Sequence, residues 1–159
     1  MSDGFEQALT GASSVLFLCS GNMVRSAFAE LYARHLRCPR PVRSAATVFR
    51  NDHILAETAR ALAARGVPGE WTSAFRPRHL SDLQDELDPR TLVLGMARMH
   101  LDALERRPAL RQRAFLLPRL VGETDEIADP VLDGADFELT FQRIAACVET
   151  LVERLAALS

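Results

Sequence analysis

A chain of 159 residues suits a single domain, and 48% hydrophobic with 25% charged residues is ordinary for a globular protein. The formal net charge of −2 argues against general nucleic-acid binding, which needs a clear excess of basic residues. The chain contains no lysine, so its 19 strongly basic residues are all arginine. This excludes a Walker-type phosphate loop and a lysine Schiff base, and any anion must be bound by arginine, backbone amides and helix dipoles.

The sequence contains no apolar run of membrane-spanning length, and residues 1–13 lack the basic start and apolar stretch of a signal peptide. We therefore expect a cytoplasmic protein without a membrane partner. Cys19, Cys38 and Cys147 are too few and too scattered for a disulfide framework, and no cysteine–histidine cluster has zinc-ligand spacing. We expect neither a metal nor a cofactor.

Strand and helix patterns alternate along the chain after a polar N-terminal segment, residues 1–13, that we expect to be flexible. Short apolar runs predict buried strands at 15–18, 42–47, 91–94 and 115–117. Amphipathic or alanine-rich stretches predict helices at 27–36, 54–64, 83–87, 98–106 and 137–158. The clearest is the last helix, whose apolar residues recur four and three apart: Phe137, Phe141, Ile144, Val148, Leu151, Leu155 and Leu158.

This alternation predicts an α/β fold, with a parallel sheet and helices on both faces, in one domain over residues 14–159. In such sheets, ligands bind beyond the carboxyl ends of the strands. Cys19 comes directly after the first predicted strand. We therefore expect Cys19 at the edge of the sheet where ligands bind.

The segment Cys19-Ser20-Gly21-Asn22-Met23-Val24-Arg25-Ser26 links the first predicted strand to a helix. Backbone N–H groups of such a turn converge on one point, and the helix N-terminus adds partial positive charge. Gly21 permits the positive φ that the turn needs, and Asn22 tolerates it nearly as well. Arg25 supplies a planar guanidinium that binds two phosphate oxygens at once. The segment therefore predicts an oxyanion site.

Cys19 lies in the same electrostatic field. A thiol at a helix N-terminus beside an arginine loses its proton readily, and Ser26 can donate its hydroxyl to the thiolate. In-line attack on a phosphate monoester needs such a nucleophile together with a cradle for the phosphoryl oxygens. The competing interpretation is a buried structural cysteine beside a solvated arginine.

Asp129-Pro130 offers the acid that would protonate a leaving oxygen. Proline restricts Asp129 to extended conformations, so we expect its side chain to project from a loop near the carboxyl edge of the sheet. Asp125, Glu126 and Asp133 are rivals for this role, and an Asp-Pro pair is also common in simple turns.

From about residue 15 to residue 155, these motifs resemble the low-molecular-weight protein tyrosine phosphatase family. The match consists of strand 15–18, the loop 19–26, Ala29-Glu30, Ser44-Ala45, Leu92-Val93-Leu94-x-Met96 and Asp129-Pro130. The resemblance implies a three-layer αβα, Rossmann-like fold around a four-stranded parallel sheet. It also implies a phosphomonoester hydrolase in which Cys19 forms a phosphocysteine while Asp129 acts first as acid and then as base.

The resemblance assigns roles to single residues. Catalysis falls to Cys19, Arg25 and Asp129. Substrate contacts are expected from the loop and one aromatic wall: Ser20, Gly21, Asn22, Met23, Val24, Ser26 and Phe49. Asn22, Ser26 and Ser44 correspond to the polar network that supports the loop, while Phe49 is equally compatible with a core position. The expected partners are a phosphorylated protein or small aryl phosphate as substrate and inorganic phosphate as product.

The chain departs from the family pattern at the loop and after the Asp-Pro pair. Val24 replaces the usual second cysteine, which leaves Cys19 open to irreversible oxidation. Val131 and Leu132 stand where aromatic residues are common, which weakens the inference to phosphotyrosine. Met23 occupies a position that is usually apolar in tyrosine-directed members, whereas threonine there resembles arginine-phosphate specificity.

Other functions stay open at this point. Arsenate reductases coupled to thioredoxin share the fold and loop, but they use a closely spaced second and third cysteine that this chain lacks, so only a version with an external thiol fits. A non-catalytic phosphate-binding domain is the other alternative. The sequence leaves the oligomeric state open.

The remaining basic and ionisable residues carry no motif. Arg106-Arg107 and Arg111-x-Arg113 form a local basic patch, which we expect to be a solvated face. The four histidines have no partner pattern and are expected to be surface or structural residues: His35, His53, His79 and His100.

Overall fold

A sheet of parallel strands forms the centre of the protein, which the computed structural model describes over residues 3–83 and 85–158. Its strands are β1 (Ser14–Cys19), β2 (Val42–Ala46), β3 (Thr91–Gly95) and β4 (Ala114–Leu116). The spatial order is β2-β1-β3-β4, and all neighbouring pairs are parallel. The predicted four-stranded parallel sheet is confirmed.

Helices cover both faces of the sheet and complete the three predicted layers. They are α1 (Phe5–Thr10), α2 (Arg25–His35), α3 (Ala56–Ala64), α4 (Gly69–Ala74), α5 (Arg98–Asp102), α6 (Pro108–Arg111) and α7 (Phe137–Ala156). The buried residues of α1, α2, α3 and α7 pack on one face, and those of α5 and α6 pack on the other. None of the helices in the described part of the chain has the length and apolarity needed to cross a membrane.

The central strand β1 is apolar on both sides because it separates two cores. Val15, Phe17 and Cys19 face the core under α2 and α7, whereas Leu16 and Leu18 face the core under α5. Both edges of β1 are paired, one with β2 and one with β3. The strand therefore ends with Cys19 in the middle of the carboxyl edge of the sheet.

Helix α7 confirms the clearest pattern in the sequence. Asp136 caps the helix by accepting a hydrogen bond from the Leu139 N–H at 2.8 Å. The apolar stripe is buried at Phe141, Ile144, Val148, Leu151 and Leu155. The helix ends at Ala156, so Leu158, which was expected on the stripe, lies beyond it and is exposed.

Two predicted helices differ from the structure in extent. The stretch 98–106 contains only α5, because beyond it the backbone N–H groups of Leu104 and Glu105 bond to carbonyls three residues back and form turns, after which Pro108 begins α6. In place of the helix predicted at 83–87, a 3₁₀ turn lies at Leu80–Leu83. Residue 84 of that prediction lies outside the described residues.

The N-terminal segment differs from the flexible segment expected over residues 1–13. Helix α1 buries Phe5, Ala8 and Leu9 on one side. The Phe5 ring meets Phe115 edge-on with centroids 5.2 Å apart, and the Arg119 guanidinium lies 4.9 Å from the centre of the Phe5 ring. These contacts make α1 part of the core. Residues 1 and 2 lie outside the described residues, and the division of the chain at residue 14 stays a prediction.

Replacing Phe5 by Ala should lower the free energy of unfolding by about 3 kcal/mol, because the change empties a buried aromatic site. Urea unfolding of the variant and the wild type measures the difference. Leu139→Ala is the control, since Leu139 is 64% exposed and its truncation should change the free energy by less than about 0.5 kcal/mol. An unchanged midpoint for Phe5→Ala would show that α1 contributes nothing to the folded core.

Candidate active site

The Cys19 side chain lines a cavity of about 280 Å³, called here the first cavity, at the carboxyl edge of the sheet. Cys19 is the last residue of β1 and is 2% exposed. Its Sγ lies 2.8 Å from Ser26 Oγ and 3.3 Å from the backbone nitrogen of Asn22. The sulfur therefore has polar neighbours that can stabilise a negative charge.

The side chain of Asn22 organises the loop from within. Its backbone is left-handed, with a φ of 56°, and its side chain is fully buried. Nδ2 donates to Ser26 Oγ and to Ser44 Oγ, each at 2.8 Å, while Oδ1 accepts from the backbone N–H of Arg78 at 2.9 Å. That backbone donor fixes the orientation of the amide, so both serine oxygens accept from Asn22. Each serine proton must then point to a different acceptor.

The serine protons point to two acidic groups at opposite ends of this network. Ser44 donates to Glu30 Oε1 at 2.8 Å, and Ser26, whose Oγ lies 2.8 Å from Cys19 Sγ, donates to this sulfur when the thiol is ionised. Burial raises the pKa of Glu30 in spite of the Ser44 hydrogen bond, and Arg34 forms an ion pair with this carboxylate. The network thus treats the Cys19 sulfur as an acceptor, the role that a thiolate fills best.

Glycine at position 21 is favoured by a close approach rather than by its conformational freedom. The positive φ that the sequence placed at Gly21 or Asn22 belongs to Asn22. A Cβ at position 21 would lie 3.0 Å from Asn51 Nδ2, which donates to the Gly21 carbonyl at 2.9 Å. On the other side, Thr58 Oγ1 donates to the Met23 carbonyl at 2.9 Å. The chain after β2 and helix α3 therefore hold the loop from outside.

Several backbone N–H groups of the loop are available to an anion. Within the part of the chain that the structure describes, those of Gly21, Met23, Val24 and Arg25 have no hydrogen-bond acceptor. They lie at the N-terminus of α2, where the helix dipole adds partial positive charge. Such an arrangement binds oxyanions.

Arg25 and Asp129 form an ion pair beside the first cavity. The buried Arg25 donates through Nη1 to the Ile127 carbonyl at 2.7 Å and through Nη2 to Asp129 Oδ2 at 3.2 Å. The other oxygen, Asp129 Oδ1, accepts from the N–H groups of Val131 at 2.8 Å and Leu132 at 3.3 Å. The turn therefore brings a carboxyl group to the cavity that also contains the Cys19 sulfur.

The other acidic residues of this segment are engaged elsewhere. Asp125 forms an ion pair with an arginine of α7, and Glu126 accepts a backbone N–H at 2.7 Å. Asp133 accepts from the N–H of Asp129 at 3.1 Å. Among the described residues, Asp129 is the carboxylate that lines the first cavity.

The mouth of the first cavity is apolar with one cation. Phe49, Val131 and Leu132 line it and are 48%, 56% and 62% exposed. Phe49 is thus a wall of the cavity and not a core residue. Arg50 also lines the cavity, and its guanidinium donates to Asp82 at 2.9 Å. These walls suit a flat apolar group attached to an anion.

His100, which sequence reasoning left without a role, contacts the loop. Its Nδ1 accepts from the Ala97 N–H at 3.0 Å, so the proton of the neutral ring lies on Nε2 and is donated to Ser20 Oγ at 3.0 Å. Burial and the positive charge of Arg25 lower the pKa of His100 to about 4, against a smaller opposite effect of Asp129. The ring is therefore neutral at neutral pH. The sequence feature that could have indicated this contact is the position of His100 shortly after the third predicted strand.

The structure brings most of the predicted site residues together. Those that line the first cavity are Cys19, Gly21, Met23, Val24, Arg25, Phe49 and Asp129. Ser20, Asn22 and Ser26 were also expected to contact substrate, but their side chains are buried in the network that supports the loop. Arg50 and Asn51 were missed, because no local pattern reveals that the chain after β2 folds back over the loop.

The family model described as low molecular weight phosphotyrosine protein phosphatase matches residues 14–158. A protein-arginine-phosphatase of Geobacillus stearothermophilus is 30% identical over 146 residues, which cover 89% of this chain and 93% of the relative. The low molecular weight protein-tyrosine-phosphatase PtpB of Staphylococcus epidermidis is 27% identical over 140 residues, which cover 86% of this chain and 95% of the relative.

Solved structures of two phosphatases have the same fold as this chain. The tyrosine phosphatase Wzb from Escherichia coli K30, in complex with sulphate, is similar with a TM-score of 0.74 and 25% identity over 91% of this chain and 99% of its own. The YwlE arginine phosphatase from Geobacillus stearothermophilus has a TM-score of 0.76 and 24% identity over 91% of this chain and 94% of its own.

Two substitutions at His100 separate its two hydrogen bonds. His100→Gln keeps a donor near the position of Nε2, whereas His100→Asn keeps only an acceptor near that of Nδ1. If the bond to Ser20 orders the loop, His100→Asn should weaken phosphate binding about fivefold while His100→Gln stays close to wild type. The measurement is a titration with inorganic phosphate, followed on the amide NMR signals of residues 20–26.

Ser20→Ala should weaken phosphate binding as much as His100→Asn does, and the double variant should be no weaker than either single variant. Additive losses, or equal losses for the Gln and Asn variants, would mean that His100 acts through core packing and not through Ser20.

Proposed function

The chain belongs to the low molecular weight phosphotyrosine protein phosphatase family, and we propose that it hydrolyses phosphate monoesters through a phosphocysteine on Cys19. The enzymes of this family are phosphoric monoester hydrolases. The observation that carries the proposal is the position of the Cys19 sulfur. It accepts from Ser26 and from the N–H of Asn22, and it lines the same cavity as Arg25 and Asp129.

In the first step, the Cys19 thiolate attacks phosphorus and the bond from phosphorus to the ester oxygen breaks. Arg25 and the free N–H groups of the loop bind the phosphoryl oxygens, whose charge is the main feature that an enzyme can stabilise in this transition state. The Asp129 carboxyl donates its proton to the leaving oxygen. The products are the free alcohol or phenol and a phosphocysteine.

In the second step, a water molecule attacks the phosphocysteine while Asp129 accepts one of its protons. The bond between sulfur and phosphorus breaks, and inorganic phosphate leaves. The hydrogen bonds from Ser26 and from the Asn22 N–H stabilise Cys19 as the departing thiolate. The same contacts that prepare the nucleophile thus also assist its release.

The walls of the first cavity favour an aryl phosphate, with phosphotyrosine in a protein as the leading substrate. Met23, Phe49 and Leu132 offer apolar surface for a flat ring above the loop. Arg50 also lines this cavity, but its guanidinium is paired with Asp82, so it adds little net charge to the apolar wall.

Phosphoarginine is a second candidate substrate, supported by the 30% identity to a protein-arginine-phosphatase. A guanidine leaving group would need a carboxylate close by. Asp129 is the carboxylate that lines the first cavity in the described chain, and it is already paired with Arg25. This balance of charge makes phosphoarginine the weaker candidate.

Arsenate reduction is supported less well than ester hydrolysis. Burial raises the pKa of Cys147 to about 11 and also raises the pKa of Cys38, so both thiols are poor relays. Neither residue belongs to the described lining of the first cavity. Oxidation of an added thiol that depends on arsenate would support the reductase, and phosphate binding without hydrolysis would support a non-catalytic domain.

The cytoplasmic location stays a prediction from the sequence.

Variants at the nucleophile and the acid test the mechanism. With an aryl phosphate as substrate, Cys19→Ser should reduce kcat to background, because a serine hydroxyl is not ionised at neutral pH. Asp129→Ala should lower kcat by a factor of about 100 or more, because the leaving oxygen loses its proton donor. Steady-state kinetics measure kcat for both variants, and inhibition by vanadate serves as a separate test of the phosphate-binding site.

Cys38→Ser is the matched control for this mechanism, since Cys38 is a half-buried thiol outside the first cavity. It should keep the activity of the wild type. Full activity in Cys19→Ser would rule out the phosphocysteine mechanism.

Peptides that carry phosphotyrosine or phosphoarginine test the choice of substrate. The wild type should hydrolyse phosphotyrosine with at least about tenfold higher kcat/KM, and Met23→Thr should move the ratio toward phosphoarginine by removing apolar surface from the wall. Leu139→Thr, a comparable change at an exposed residue outside the described cavity lining, should leave the ratio unchanged. A wild-type preference for phosphoarginine would reverse our assignment of substrate.

A further inference from the structure

A second cavity, of about 220 Å³, lies next to the segment that follows β2. Its polar lining residues are Thr47, His79, Ser81, Arg106 and Arg107. The last two form the basic pair that the sequence predicted to be part of a solvated face. Among the described residues, no carboxylate lines this cavity.

Two polar atoms of these lining residues are buried without a partner. They are Thr47 Oγ1 and Arg107 Nη1, which have no hydrogen bond within the described part of the chain. Buried polar atoms in native proteins are nearly always satisfied, so an exception points to a water, an ion or a ligand. A guanidinium can only donate, and a threonine hydroxyl can donate as well. A species that only accepts hydrogen bonds can serve either donor.

The charges around the second cavity favour an anion. Within residues 3–83 and 85–158, neither Arg106 nor Arg107 lies within ion-pair distance of a carboxylate. His79 Nδ1 accepts from the Ser81 N–H at 3.1 Å, which leaves the other ring nitrogen as a donor. The acid next to this group, Asp82, is already paired with an arginine. The uncompensated charge is therefore positive.

We infer that the second cavity is an oxyanion site, separate from the loop at Cys19, that takes a phosphate or carboxylate group at Arg107 and Thr47. Arginine binds such groups through paired N–H donors. An oxyanion would satisfy Arg107 Nη1 and Thr47 Oγ1 and neutralise the positive charge, whereas a water would do only the first. The site does not depend on the proposed hydrolysis.

The second cavity is linked to the first by two hydrogen bonds. The Thr47 N–H donates to the Cys19 carbonyl at 2.9 Å. Arg50, which lines the first cavity, donates through Nη2 to Ser81 Oγ at 2.9 Å. An anion bound beside Thr47 and Ser81 would therefore order the segment that carries the Phe49 wall. The two cavities therefore share one segment of the chain.

A titration of ¹⁵N-labelled protein tests the site, with inorganic phosphate and with acetate as the two probes. We expect phosphate to shift two groups of amide signals with separate saturation curves, one at residues 20–26 and one at Ser81 and Ala103. Saturation of the second group by phosphate alone assigns the site to phosphate groups. Saturation by acetate as well assigns it to oxyanions in general.

Substitution of Arg107 decides whether the second group reports binding in the second cavity. Arg107→Gln should weaken binding there about tenfold and leave the signals of residues 20–26 unchanged, because it removes a charged donor from this cavity alone. Arg111→Gln is the control, since Arg111 is a nearby arginine outside the cavity lining. It should change neither curve.

Thr47→Val gives a second, independent readout from the stability of the protein. In anion-free buffer the variant should unfold at the same temperature as the wild type or higher, since it removes a buried hydroxyl without a partner. The rise in Tm that phosphate produces should be smaller in the variant. Two outcomes of the titration would overturn the inference. In the first, the signals of Ser81 and Ala103 do not saturate with phosphate. In the second, their shifts are the same in Arg107→Gln as in the wild type. In either case a buried water, and not an oxyanion, would be the partner of Arg107 and Thr47.

Discussion

The hydrogen bonds of the buried Asn22 amide are the constraint on which the rest of the site depends. This one side chain joins Ser26 on α2, Ser44 on β2 and the backbone of Arg78. Its left-handed backbone is one that asparagine adopts more readily than most residues with a side chain, and the surrounding hydrogen bonds hold it there. An apolar residue at this position would leave Ser26, Ser44 and the Arg78 N–H without these hydrogen bonds. The shape of the anion-binding loop is therefore fixed by groups that never touch the anion.

This network also explains how a buried carboxylate lies close to a site for anions. Glu30 and the Cys19 sulfur are both acceptors, and the Asn22 amide stands between them with one serine on each side. In each of these four hydrogen bonds the donor is on the side of Asn22. One pair of bonds therefore runs through Ser26 to Cys19, and the other runs through Ser44 to Glu30. The charge of Glu30 is directed to Arg34 at the other end of the network. The free N–H groups of the loop therefore stay available for the proposed substrate, with Arg25 held beside them by Ile127 and Asp129.

The parts of the fold that the sequence predicts are those governed by local patterns. Strand β1 and helix α7 follow from a short apolar run and a regular stripe, and the motif at Cys19 follows from its position between β1 and the helix predicted next, α2. Helix α1 was missed because six residues form too short a pattern, and tertiary packing of its buried side chains, such as Phe5 against Phe115, stabilises it. The contact of His100 with Ser20 was missed because it joins residues 80 positions apart. Asn22, not Gly21, takes the positive φ because tertiary hydrogen bonds decide between them.

Val24 stands where the family resemblance predicts a second cysteine, and this changes how Cys19, the proposed nucleophile, would be protected. A thiolate is the form of cysteine that oxidises, and a neighbouring thiol usually rescues the sulfenic acid as a disulfide. Val24 lines the first cavity without offering such a thiol, and the other cysteines, Cys38 and Cys147, are absent from its described lining. Protection must then come from limited access, since Cys19 is 2% exposed, and from any oxyanion that covers the sulfur. A bound phosphate occupies the path that an oxidant would take, so the product of the proposed reaction also shields the nucleophile between turnovers.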